Sequence, residues 1–159
     1  MQESDNQYQM RGNRVAPLPF NTIKSVVNEF CAIFQLTPRR ELEMAKFADA
    51  LSSYNIGIDP VADEDWCFAT EGHCDPSTLT IRIPQSTFLA ACDGDAGALS
   101  TLFHEIGHLM LAHQVTLHNE KSAAPSMIED AEWQADTFSD LVLAKLRIST
   151  CQQLELSLI

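Results

Sequence analysis

The sequence is poor in positive charge, with Lys and Arg numbering 10 against 22 Asp and Glu, for a formal net charge of -12. That balance repels phosphate backbones and anionic lipid headgroups, which argues against direct nucleic-acid or membrane binding and makes a basic protein the partner that charge would favour. A cysteine framework is also missing. Cys31, Cys67, Cys74, Cys92 and Cys151 are odd in number and include no Cys-x-x-Cys pair, so neither a disulfide set nor a cysteine zinc ribbon is expected and all five read as reduced thiols. No stretch approaches the ~18 continuous apolar residues of a membrane span. The opening MQESDNQYQMRGNR has no apolar run of the signal-sequence kind, so the expected compartment is the cytoplasm. Repeats, low-complexity tracts and linkers rich in Pro, Gly and Ser are lacking too, and nothing divides the chain.

What is present suffices for a core: the 159 residues are 45% hydrophobic, enough for one domain without disulfides. Residues 1–15 are polar and expected to be a disordered N-terminal segment, with 16–159 a single domain. Ile23, Val26, Val27, Phe30, Ile33 and Phe34 recur at i, i+3, i+4, i+7 behind Asn21, which predicts an amphipathic helix over 22–36. Thr37-Pro38 closes it, and Met44, Phe47, Ala48 and Leu51 stripe a second helix that runs out near Asn55-Ile56-Gly57. The period then becomes two. Leu79, Ile81 and Ile83 alternate with Thr80 and Arg82 up to Pro84, a strand whose expected partner is 65–70 (DWCFAT), with His73-Cys74-Asp75 as a turn ahead of it. Helical spacing returns from Ala96 to about His113 and again from about Ile128 to Arg147. The order of helices, small sheet and helices defines an α+β, mainly helical architecture.

One five-residue pattern carries chemistry. His104-Glu105-Ile106-Gly107-His108 falls inside a predicted helix, where residues four apart stand one turn above each other, so two imidazoles can share a metal ion. Neutral imidazole suits zinc, and a carboxylate next to the first histidine can take the proton of a water that the zinc acidifies. His104 and His108 are thus expected ligands of Zn2+ and Glu105 the general base. A catalytic zinc takes three protein ligands and keeps one position open. The metzincin spacing would need a histidine at position 114, which is Gln114, and His113 misses it by one and reads as a surface group. On the last helix Glu132 and Asp136 share a face beside small Ala135 and Ser139. Glu132 is the expected third ligand, and Asp136 the acceptor for the other ring N–H of a ligand histidine. Glu129 and Asp130, at the uncertain helix start, are weaker candidates. His118, in the loop 114–127, reads as exposed, and that loop as a border of the cleft.

Two segments give the chain a family likeness. TLTIRIPQSTFLAACDGDAGALSTLFHEIGHLMLAH and EWQADTFSDLVLA resemble the strand, short helix, Gly-Asp turn and His-Glu-x-Gly-His helix, and the Glu-x-x-Ala-Asn segment, of the ImmA/IrrE metallopeptidases. The likeness runs from about Phe68 to Leu143, roughly half of the chain. It implies a compact zincin-like helical domain with a small sheet and an HExxH active-site helix. Zinc would sit on His104, His108 and Glu132, in the gluzincin manner, with Glu105 as catalytic base. It also implies a substrate, since members often cleave or inactivate helix-turn-helix repressors of prophages and mobile elements. Asp136 stands where Asn is common, Ser139 where Ala is usual, and Ala112 where a histidine often follows. Arginines are absent from 97–100, and Leu143-Ala144 replaces a frequent Met-Pro. None of these removes a ligand.

The leading expectation is a zinc endopeptidase acting on a cytoplasmic repressor. The alternative is a zinc-stabilised module that sequesters a DNA-binding regulator without cutting it. A DNA-repair protease of the SprT type is disfavoured by the acidic charge and the missing cysteine ribbon.

Overall fold

An apolar stripe makes a helix only where its ends can be closed, and the closures are visible in a computed structural model that describes residues 7–113 and 123–149. The first helix, α1 (Phe20–Ile33), buries Ile23, Val27, Phe30 and Cys31. It stops short of residue 36 because Gln35 turns left-handed at φ 54°, which lets the Leu36 N–H reach the Cys31 carbonyl at 2.9 Å. Met44, Phe47 and Leu51 are buried along α2 (Met44–Ser52), and α3 (Gln85–Cys92) follows the sheet. Both long C-terminal helices open on an aspartate cap: Asp95 accepts from the Ala98 N–H ahead of α4 (Ala96–Met110), and Asp130 from the Glu132 N–H ahead of α5 (Ala131–Lys145). The described residues thus form an α+β fold.

The sheet holds β1 (Gly57–Val61), β2 (His73–Asp75) and β3 (Thr80–Pro84) in the order β1-β3-β2, with β1 parallel and β2 antiparallel to β3. Ile81 and Ile83 of β3 are fully buried, as their alternation predicts. The expected partner strand 65–70 does not form. Its residues are drawn into local turns instead, with the Trp66 indole N–H donating to the Thr70 carbonyl at 3.0 Å and the Thr70 hydroxyl to the Gly72 carbonyl at 2.6 Å. Its place is taken by β1, disguised in the sequence by Pro60, which an edge strand tolerates because the missing N–H need not pair. His73-Cys74-Asp75, expected as a turn, is strand β2. The turn comes just after it, where Asp75 Oδ1 accepts from the Ser77 N–H and hydroxyl.

The core gathers α1, α2, β3, α4 and α5. Phe30 is its aromatic hub, its ring centre 5.2 Å from that of Phe138, 6.4 Å from Phe103 and 6.3 Å from Phe47. Against it α4 and α5 pack closely: a Cβ on Gly107 would come within 3.1 Å of the Phe138 side chain, and the Ser139 hydroxyl donates to the Ser100 carbonyl at 2.8 Å. Residues 7–15, expected to be disordered, are held as a strap across the start of α5. Val15 is buried and its N–H donates to the Glu129 carbonyl, while the Ala131 N–H donates to the Asn13 carbonyl and Arg14 bridges Asp130. Asp130, with no exposure, anchors the strap by accepting from the Tyr8 hydroxyl and the Arg11 and Gly12 N–H groups. The strap was invisible to composition because backbone pairing and one buried carboxylate hold most of it, not an apolar stripe. No described helix is long and apolar enough to cross a membrane.

The contact at Gly107 makes a prediction whose sign is informative. Alanine is the better helix former by about 1 kcal/mol, yet Gly107→Ala should destabilise the protein by about 1 kcal/mol net, because Phe138 is locked by its neighbours and overpacking costs about 1–3 kcal/mol. A lower midpoint of urea unfolding checks it, and a higher one contradicts the packing described.

Candidate metal centre

His104 and His108 lie one turn apart on α4, and Glu132 and Asp136 one turn apart on α5. The close helix contact turns the two pairs toward each other. His104 Nε2 is 3.2 Å from His108 Nε2 and 3.0 Å from Glu132 Oε2, and His108 Nε2 is 3.4 Å from Glu132 Oε1. Four ligands at about 2.0–2.1 Å from a tetrahedral ion are about 3.3–3.4 Å from one another. The three protein atoms therefore already have nearly the spacing that one ion would impose. Among the described residues this is the one group of three His, Cys, Asp or Glu whose ligand atoms lie within 4.8 Å of one another. The donor set, two imidazoles and a carboxylate, fits a divalent first-row ion.

The site forms one wall of a cleft of about 610 Å3 that β2, α4, α5 and the strap enclose. Side-chain exposures of 18% for His104, 17% for His108 and 36% for Glu132 leave the ligand atoms reachable from it. Glu105 is buried and lines the same cleft. Its carboxylate rests on the backbone of Gly72, just before β2, where a Cβ would come within 2.8 Å of Glu105 Cγ and 2.9 Å of Oε1. Only glycine leaves Glu105 that space.

Electrostatics follow from these contacts. Burial pulls the pKa of His104 down, but hydrogen bonds to Asp136 and Glu132 and the charge of Glu105 prevail and hold it at about 10. The same contact with His104 pushes Glu132 far below the usual carboxylate range. Burial raises Glu105, against the opposing pull of His104. In β2, burial and then the charge of Glu105 push the Cys74 thiol up to about 12, which keeps it protonated and inert as a ligand. His73 beside it stacks on Phe68 at 4.1 Å, and its buried Nδ1 has no hydrogen-bond partner among the described residues.

Of the residues singled out in the sequence, His104, His108 and Glu132 are brought together with Glu105 beside them. Asp136 Oδ1 is 2.7 Å from His104 Nδ1, and its Oδ2 accepts from Arg11 of the strap at 2.8 Å. Glu129 and Asp130 are engaged elsewhere, Glu129 with Arg14 and Asp130 as cap and anchor. The reading of His113 as a surface group is overturned: it is part-buried, with Nδ1 2.8 Å from His108 Nδ1 and Nε2 2.6 Å from Gln134 Oε1. Helical spacing misplaced it because α4 ends early, at Met110. Ala112 turns left-handed at φ 50°, and the His113 N–H folds back to the His108 carbonyl. Burial above all lowers the His113 pKa to about 4, so it stays neutral. Gln134 and Arg11 gave no sequence signal. Gln114, His118, Cys151 and most of the loop 114–127 lie outside the described residues. The chain matches no family model, no curated protein and no solved structure.

Since His104 without metal holds a proton up to about pH 10, an ion must displace it. Metal uptake at pH 8 should release about one proton, and affinity should strengthen about tenfold per pH unit between 7 and 9. Calorimetric titration in two buffers of different ionisation enthalpy measures both, and an affinity independent of pH would contradict the assignment of His104 as a ligand.

Proposed function

We propose that this chain is a zinc-dependent endopeptidase of the ImmA/IrrE type, a zincin-like domain in which His104, His108 and Glu132 hold the metal and Glu105 is the catalytic base. The observation that carries the reading is the placement of a buried glutamate on the same helix as two of three convergent ligands, facing an open cleft. Zinc is favoured over harder cations by the two imidazoles, and when bound it supplies a Lewis acid that polarises a carbonyl and acidifies water. Glu105 takes the proton of the attacking water and returns it to the departing amine. Its burial raises its proton affinity toward the working pH, which suits a group that must both accept and release a proton. Asp136 accepts the His104 Nδ1–H and so leaves Nε2 free for the metal.

The substrate we assign is a helix-turn-helix repressor in the cytoplasm, on the resemblance and on the -12 charge, which suits a basic DNA-binding partner. An extended linker or helix end of the repressor would enter the cleft beside β2, since exposed segments are where proteolytic nicking concentrates. The test is incubation of the zinc-loaded chain with a repressor encoded beside it, read as discrete fragments by mass spectrometry. A stable complex without fragments would support sequestration instead, and neither complex nor fragments would remove this substrate class.

Two variants separate the chemistry from the fold. Glu105→Gln should keep about one zinc per chain and lose about 100-fold or more in hydrolysis, because an amide cannot accept the proton. Gly72→Ala should do the same by displacing the Glu105 carboxylate, with zinc content and unfolding midpoint close to wild type. Elemental analysis and a peptide-cleavage rate check both, and full activity in Gly72→Ala would show that the observed position of Glu105 is not the working one.

A further inference from the structure

Gln134 has no exposed surface, and a buried amide must have both ends satisfied. Its Nε2 sits 2.9 Å from the Ala16 carbonyl oxygen and 2.6 Å from that of Ile128. Both neighbours only accept, so this end must be the NH2. A flipped amide would set oxygen against two oxygens. Gln134 Oε1 therefore faces His113 Nε2 at 2.6 Å and accepts from it. That places the His113 proton on Nε2 and leaves Nδ1, 2.8 Å from His108 Nδ1, as a lone pair. His108 must then donate from Nδ1, and its Nε2 lone pair points at His104 Nε2 and Glu132.

We propose that His113 and Gln134 are positioning residues that set the tautomer and ring orientation of His108 through the chain Ala16 and Ile128 carbonyls, Gln134 amide, His113 imidazole, His108 imidazole, so that Nε2 is ready for the metal before it arrives. This rests on the reading of His104, His108 and Glu132 as a zinc site. The two ligand histidines are oriented by unlike means. His104 is held by the Asp136 carboxylate, backed by Arg11. His108 is held by neutral groups, since no carboxylate hydrogen-bonds to His113 among the described residues. A carboxylate partner raises a ligand imidazole's basicity more than a neutral acceptor does, so His104 is the stronger donor of the pair.

The test is zinc affinity by competition with a chromophoric chelator, with long-range 15N–1H NMR of the metal-free protein to read the His108 tautomer. His113→Phe keeps a ring and removes the acceptor, and should weaken zinc about 10- to 100-fold, with little change in the unfolding midpoint of the metal-free form. His113→Gln, whose side-chain oxygen can accept from His108, should recover part of the loss, which a merely structural role would not predict. Wild-type His108 should appear with its proton on Nδ1. Equal zinc affinity in wild type and His113→Phe, or a His108 proton on Nε2, overturns the relay while leaving the zinc site standing. A wild-type chain that takes up no zinc overturns the site and the relay together. Should His113→Phe not fold, the wild-type tautomer and the His113→Gln affinity decide the matter.

Discussion

The close approach of α4 to α5 is the constraint on which the site depends. A ligand set drawn from two helices needs their backbones near enough that an imidazole and a carboxylate meet. Gly107, placed between the histidines in sequence, is what lets Phe138 come in. Phe138 is also tied to the aromatic hub at Phe30, so the distance between the ligand pairs is set by the core itself. The spacing of the candidate ligand atoms is then a by-product of apolar packing, which is less deformable than a loop.

Charge balance is the second constraint on this cluster. Glu105, Glu132 and Asp136 crowd two histidines, and three carboxylates at such range would repel one another. The proton on His104 answers this, paired with Glu132 on one nitrogen and Asp136 on the other, while Arg11 takes the outer oxygen of Asp136.

How much of this the sequence disclosed depends on the kind of signal. Ile81 and Ile83 announced a buried strand by alternation, and Leu99, Leu102, Phe103 and Ile106 a buried helix by period, because burial on one face writes itself into residue order. His104, His108, Glu132 and Asp136 were legible for a related reason, since i, i+4 spacing on a helix is a statement about direction. β1 was not legible: Asp59 and Pro60 are poor strand formers, and its pairing with β3 comes from the parallel crossover rather than local preference. Nor was His113, which helical spacing carries past the site until Ala112 leaves the helix for a left-handed turn. The strap escaped notice because most of its contacts are to partners more than 100 residues away in sequence.

That strap joins what looks like two separate supports. Arg11 reaches His104 through Asp136, and the Ala16 carbonyl reaches His108 through Gln134 and His113. Between them Gly12 passes so close to Glu132 that a Cβ would come within 2.5 Å of its Cγ. Residues 11–16 thus reach every residue of the candidate triad: His104 through one intermediary, His108 through two, and Glu132 directly. Backbone held by pairing to α5 can do this without an apolar stripe of its own, because the positions it must fix are those of its neighbours' side chains. The N-terminal segment therefore belongs to the candidate metal centre as much as the two helices that carry His104, His108 and Glu132.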